Sequence, residues 1–169
     1  DVYKRQVPYP KGRSLDQKSK EDVKTLINGT PIKRDLLIEY LHLIQDKYRC
    51  IKKSHLAALS DIMKIPFAEA FEVASFYAHF DVLDDNDPTP PEITIRMCDS
   101  LTCELKGSDS LLKDLQKKYH NSDKVRVLRA PCMGLCDVAP ACEVGHNHIK
   151  NCSMETIENA IKKKDTHPQ

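Results

Sequence analysis

Apolar residues recur at helical spacing through the first half of the chain and alternate with polar ones through much of the second. In "RDLLIEYLHLIQDKY", Leu37, Leu41, Ile44 and Tyr48 fall on one stripe of a helix. Ser54 is placed to cap "HLAALSDIMK", whose apolar side is Leu56, Leu59 and Met63. Pro66 suits the first turn of "PFAEAFEVASFYAHF", with Phe67, Phe71, Ala74 and Tyr77 or Ala78 along one side. A weaker helix covers about 17–28 and stops at Asn28-Gly29, before Pro31. Residues 16–80 are therefore predicted to form a small helical bundle. Its aromatic stripe fills the core or, in part, offers a docking face.

The pattern breaks at residues 81–92, "DVLDDNDPTPPE", where five acids, three prolines and no base leave nothing expected to pack. This reads as a solvated inter-domain linker. Beyond it, "ITIRM" alternates as a strand with Ile93, Ile95 and Met97 on one face. "SDSLLKDLQKKY" returns to helical spacing through Leu111 or Leu112, Leu115 and Tyr119, with Ser108 as its cap. "KVRVLRA" is a second strand, and "ACEV" and "HNHI" flank Gly145 as a short hairpin. "SMETIENAIKKK" closes as a helix capped by Ser153, with Met154, Ile157 and Ile161 inward. A strand, helix, strand succession implies a parallel pair joined by a right-handed crossover. The order β-α-β-β-β-α over 93–164 predicts a thioredoxin-like α/β sandwich after the bundle, an α+β or α/β chain as a whole. Residues 1–15 read as a flexible basic arm and 165–169 as a tail.

Composition narrows the function. With 169 residues, 30% charged and 40% hydrophobic, the chain is long enough for one ordinary domain or two small ones. A net charge of +1 gives no basic field for nucleic acid or anionic lipid. No apolar run approaches the ~18 residues of a membrane-spanning helix. The opening "DVYKRQVPYPKGRSLD" has no apolar h-region, so no secretory signal is expected. Seven cysteines are many for such a chain, and the odd number argues against a closed disulfide framework.

Four of those cysteines follow strands. Cys98 and Cys103, in "MCDSLTC", come just after the first strand; Cys132 and Cys136, in "APCMGLCDVAP", come just after the second. If the strands are parallel neighbours, a C-x4-C pair and a C-x3-C pair leave the same end of the sheet and can converge on metal. Structural zinc favours tighter C-x2-C knuckles. The looser spacing suits a [2Fe–2S] cluster, with zinc and redox or structural thiols as the alternatives. Gly134 would let backbone N–H groups approach inorganic sulfide. Cys50, Cys142 and Cys152 lie outside both loops and read as buried or incidental. His146 and His148 read as part of a polar hairpin.

The cysteine loops, the "C-x-G-x-C-x-x-AP" context, and "YLHLIQDKY" followed by "VASFYAHF" resemble one family across about residues 30–150. It is the thioredoxin-like [2Fe–2S] ferredoxin subunits of the complex I peripheral arm, the E-subunit type. Relatives occur in NAD-reducing hydrogenases and NAD-dependent formate dehydrogenases, and "DSLTCEL" looks closest to the formate dehydrogenase branch. The turn "VGHNH" departs from the Asn-Gly common in the family, without touching a cysteine. The resemblance implies that Cys98, Cys103, Cys132 and Cys136 are the cluster ligands. It implies an NADH-oxidising partner subunit that carries FMN and NAD, docked on the N-terminal helical domain. It also implies a cytoplasmic location, or the cytoplasmic or matrix face of a membrane complex, without direct membrane insertion.

Three function classes follow: an electron-transfer subunit, a stand-alone enzyme, or a zinc-stabilised interaction module. With five glycines there is no G-x-G-x-x-G after a strand and no phosphate loop. A hydride must be split by a flavin before such a cluster accepts one electron, so the flavin belongs in a partner. No catalytic residue is nominated. Arg96, Arg129 and Lys106 near the loops would raise a cluster's potential, and Asp99, Glu104 and Asp137 would lower it.

Overall fold

The computed structural model describes residues 15–163. The arm expected at 1–15, apart from Leu15, and the tail at 165–169 lie outside the described residues. The chain divides into two compact units that part between Thr89 and Pro90.

The first unit contains α1 (Gln17–Leu26), α2 (Leu37–Tyr48), β1 (Ile51–Lys52), α3 (Lys53–Met63), α4 (Phe67–Phe76) and β2 (Val82–Leu83). Asp16 caps α1 by accepting from the Ser19 N–H at 2.8 Å. The stripes meet as expected: Val23, Leu41, Ile44, Leu56, Leu59 and Ala74 share one core with no exposure. Each of its leucines and isoleucines contributes roughly 1.5–3 kcal/mol by leaving water. Tyr40 joins this core, though the stripe did not name it, and its hydroxyl donates to the Pro31 carbonyl.

Three expectations need correction here. Ser54 is not a cap, because α3 begins one residue earlier at Lys53; the Ser54 N–H instead donates to Asp85 Oδ1 at 2.9 Å. Helix α4 stops at Phe76, so Tyr77 is extended and leaves the apolar side. The acidic stretch is not merely solvated. β2 pairs in parallel with β1, Ile51 opposite Val82, and the Asp81 N–H donates to Gln45 Oε1 at 3.0 Å. Lys53 Nζ lies 2.7 Å from Asp84. Asp84 faces Lys53, Asp85 faces the positive N-terminus of α3, and Lys52 Nζ donates to the Asp84 and Asp87 carbonyls, which holds a sequence that has little apolar reason to pack.

The second unit runs β3 (Ile93–Cys98), α5 (Leu101–Leu105), α6 (Ser108–Tyr119), β4 (Val125–Ala130), β5 (Cys142–Val144), β6 (Asn147–Ile149) and α7 (Met154–Lys163). Its sheet has the order β4-β3-β5-β6. β3 and β4 are parallel, from Ile93 opposite Val125 to Cys98 opposite Ala130. β5 is antiparallel to β3, and β6 to β5 across Gly145-His146. Ile93, Ile95 and Met97 pack with Leu112 and Leu115 of α6 and Ile157 of α7. The central position of β3 buries all its residues, so Thr94 and Arg96 are buried as well. Each meets a polar group in place: Arg126 Nε donates to Thr94 Oγ1 at 2.8 Å, and Arg96 Nη1 meets Glu143 Oε2 at 3.4 Å, although the buried Arg96 Nε has no hydrogen-bond acceptor among the described residues. Ser153 does cap α7, accepting from the Thr156 N–H at 3.3 Å. Ser108 does not cap α6; Gly107 takes that position at φ +90°, and Ser108 is buried as the first helical residue.

Candidate metal centre

The parallel register sets the site. Cys98 and Ala130 end their strands side by side, so both following segments leave from one edge of the sheet. The Asp99 N–H donates to the Ala130 carbonyl at 3.0 Å, and the Cys98 N–H donates to the Ala141 carbonyl at 3.2 Å. These bonds hold the two cysteine segments and the approach to β5 against each other. Past Cys136, a short 3-10 turn (Cys136–Val138) is anchored by the Asn151 N–H, which donates to the Val138 carbonyl at 2.8 Å.

Cys103 lies in a place the sequence did not predict. The segment after β3 is not an open loop but the single-turn helix α5, which carries Cys103 inward. Cys98 and Cys103 are each only 1% exposed and share a small apolar nest with Ala141, edged by Met133, Leu135 and Ala139. Cys132 and Cys136 are exposed. Their sulfurs are 3.4 Å apart. One thiol pair is thus shielded and the other faces solvent.

The surroundings tune each thiol differently. The Gly134 N–H points at Cys132 Sγ, 3.5 Å away, and with the neighbouring Cys136 thiol holds Cys132 below the ordinary cysteine range. Cys136 is pushed up, because it shares a proton with Cys132. Burial pushes Cys103 up. Gly134 adopts φ +78°, and a Cβ there would meet nothing within 4 Å. The left-handed turn it permits aims its own N–H at a sulfur.

One hydroxyl, not singled out by the sequence, also reaches a sulfur. Ser100 Oγ is 3.1 Å from Cys98 Sγ. Ser100 occupies the N-cap position of α5 yet makes no capping bond, forgoing about 1 kcal/mol that a serine cap contributes. A Ser or Thr between two cysteines at close spacing was the available signal, but caps and turns use the same residues.

Of the charges expected near the loops, Arg129 is committed to Asp109 at 2.8 Å and Arg96 to Glu143. Lys106, Asp99, Glu104 and Asp137 are exposed. Cys142 and Cys152 lie buried beside Met97 in the sheet core, Cys152 Sγ 4.0 Å from Met97 Sδ. Cys50 is buried in the first unit.

The donor set, four thiols on two segments that leave one sheet edge, fits a two-iron cluster. Four soft donors spread over two loops match a cluster in which each metal takes two thiolates.

A sequence model of the thioredoxin-like [2Fe–2S] ferredoxin family matches residues 23–165. The NADH-quinone oxidoreductase E subunit of Aquifex aeolicus is 30% identical over 131 residues, spanning 73% of this chain and 79% of the relative. The corresponding E subunit of Rickettsia typhi is 24% identical over 159 residues, spanning 88% of this chain and 91% of the relative. Among solved structures, an NAD+-reducing [NiFe]-hydrogenase in the air-oxidised state superposes with a TM-score of 0.58 at 23% identity over 77% of this chain. The chain spans only 23% of that hydrogenase chain, and the likeness shows the fold alone. No helix among the described residues is long and apolar enough to cross a membrane.

Proposed function

The chain belongs to the thioredoxin-like [2Fe–2S] ferredoxin family, and on that premise we propose that it is a one-electron-transfer subunit of an NADH-linked oxidoreductase. Cys98, Cys103, Cys132 and Cys136 would hold the cluster. Bound there, a [2Fe–2S] cluster supplies a one-electron redox couple. The observation that carries the reading is the convergence of two cysteine segments at one edge of a parallel strand pair.

The chain's own residues divide the work. Cys98 and Cys103 sit in an apolar nest that keeps water from their side of the site. Cys132 and Cys136 present the other side to solvent, where a redox partner can approach. The Gly134 N–H and the Ser100 hydroxyl supply hydrogen bonds to sulfur, which favour thiolate over thiol.

The partner in this reading is a flavoprotein that holds FMN and oxidises NADH, and the helical unit, residues 16–80, provides its docking surface. The NADH-quinone oxidoreductase relatives support an oxidoreductase complex as the setting. We propose a complex of the complex I or NAD-dependent formate dehydrogenase kind, at the cytoplasmic or matrix side of the membrane. This chain itself contributes no substrate or NAD site. Co-expression with the flavoprotein tests the assignment. NADH oxidation with a dye acceptor should need that partner. A chain lacking residues 1–88 should keep the cluster's visible spectrum but lose co-purification. Dye reduction by the isolated chain would sink the division of labour. Full-strength binding by the truncated chain would move the docking surface to the α/β unit.

A further inference from the structure

Ser100 is the residue whose placement the fold alone does not explain. A serine at a helix N-cap ordinarily turns its oxygen to the N–H groups of the first turn. Here the Glu104 N–H bonds the Ser100 carbonyl at 2.9 Å, and the side chain caps nothing. Instead the hydroxyl lies 3.1 Å from Cys98 Sγ.

We infer that Ser100 is a positioning residue whose hydroxyl donates to the Cys98 thiolate and thereby raises the reduction potential of the site. The inference rests on the reading of the four cysteines as holders of a [2Fe–2S] cluster. A metal-bound thiolate carries no proton, so the hydroxyl must be the donor in this contact. Adding an electron increases negative charge on the sulfurs, and the bond strengthens in the reduced state. Removing it leaves the oxidised state less affected than the reduced one, so the potential falls. Cys98 is 1% exposed, and with so little water at that sulfur the lost donor is not readily replaced.

The experiment is an electron-paramagnetic-resonance redox titration of the full chain, loaded anaerobically, as wild type, Ser100→Ala and Ser100→Thr. Ser100→Ala should lower the reduction equilibrium constant by about three- to tenfold, where tenfold is 59 mV for one electron. Ser100→Thr keeps the hydroxyl and should stay within about twofold. Electron–nuclear double resonance in H2O and D2O should show an exchangeable proton coupled to the reduced cluster, lost in Ser100→Ala and kept in Ser100→Thr. If Ser100→Ala binds no cluster, that proton in wild type and Ser100→Thr decides the matter, its presence supporting the inference and its absence overturning it. An unchanged or raised potential in Ser100→Ala overturns the role of Ser100 and leaves the electron-transfer reading standing. A wild type with no two-iron signal overturns both.

Discussion

The pairing of Arg96 with Glu143 can be turned into a measurable shift at the cysteine site. Arg96 lies on the same strand face as Cys98, two residues away, and Glu143 sits opposite it on β5. Their side chains are 7% and 13% exposed. Two residues along a strand span about 7 Å. A unit charge at roughly 7–10 Å acts with about 2 kcal/mol at an effective dielectric constant near 20. For one electron that corresponds to something under about 100 mV. In the native chain the two charges largely cancel. Glu143→Gln removes the negative member of the pair and should raise the midpoint by several tens of mV, at most the lone-charge figure. Arg96→Met should lower it by a similar amount. Arg96→Met combined with Glu143→Gln should return close to wild type. Urea unfolding of the same variants should show each single change costing about 3–5 kcal/mol and the double change costing less than their sum. Because the pair is buried, the shifts should persist at high salt. Midpoints that move in the same direction in both single variants would refute the argument, since opposite charges cannot do that.

Other outcomes follow from single contacts. Asp85→Ala removes the acceptor of the Ser54 N–H and should cost the helical unit about 1 kcal/mol, read as a lower denaturation midpoint; no change would show that water replaces it. His55 is buried against Tyr48, and burial holds its folded pKa below the ordinary histidine value of 6.5. The unfolded chain therefore binds the proton more readily. The His55 contribution is present above pH 6.5 and is lost as the pH falls through its lower folded value. His55→Gln should flatten that part of the stability profile, and an unchanged profile would refute it. Cys50→Ala, Cys142→Ala and Cys152→Ser should leave the visible spectrum of the loaded chain unchanged, and its loss in a folded variant would mark a mis-assigned ligand.

Much of this architecture was legible because apolar spacing is set by cores. The stripes of α2 and α3, the alternation of β3 and the Gly145 hairpin all appear where they were expected. So does the parallel pairing that aligns Cys98 with Ala130. What escaped is mostly polar and local. Asp85 reaches a helix start 31 residues earlier in the chain, a distance at which no capping pattern can be read. The acids of 81–87 pack through charge and strand pairing, while composition suggested only solvation. Burial of Thr94 and Arg96 follows from the central place of β3, which alternation cannot reveal. The single turn of α5 is too short to show a period, so the inward placement of Cys103 and the uncapped hydroxyl of Ser100 were invisible.

The account stands most directly on what the four cysteines hold. Metal and acid-labile sulfide analysis of the anaerobically purified full chain should give iron and sulfide in equal amounts, at the content of one [2Fe–2S] cluster per chain. Cys98→Ala and Cys132→Ala should each lose both together, because each removes a thiolate from a different pair. A colourless chain with one equivalent of zinc and no labile sulfide would contradict the electron-transfer reading and make the site a structural knuckle.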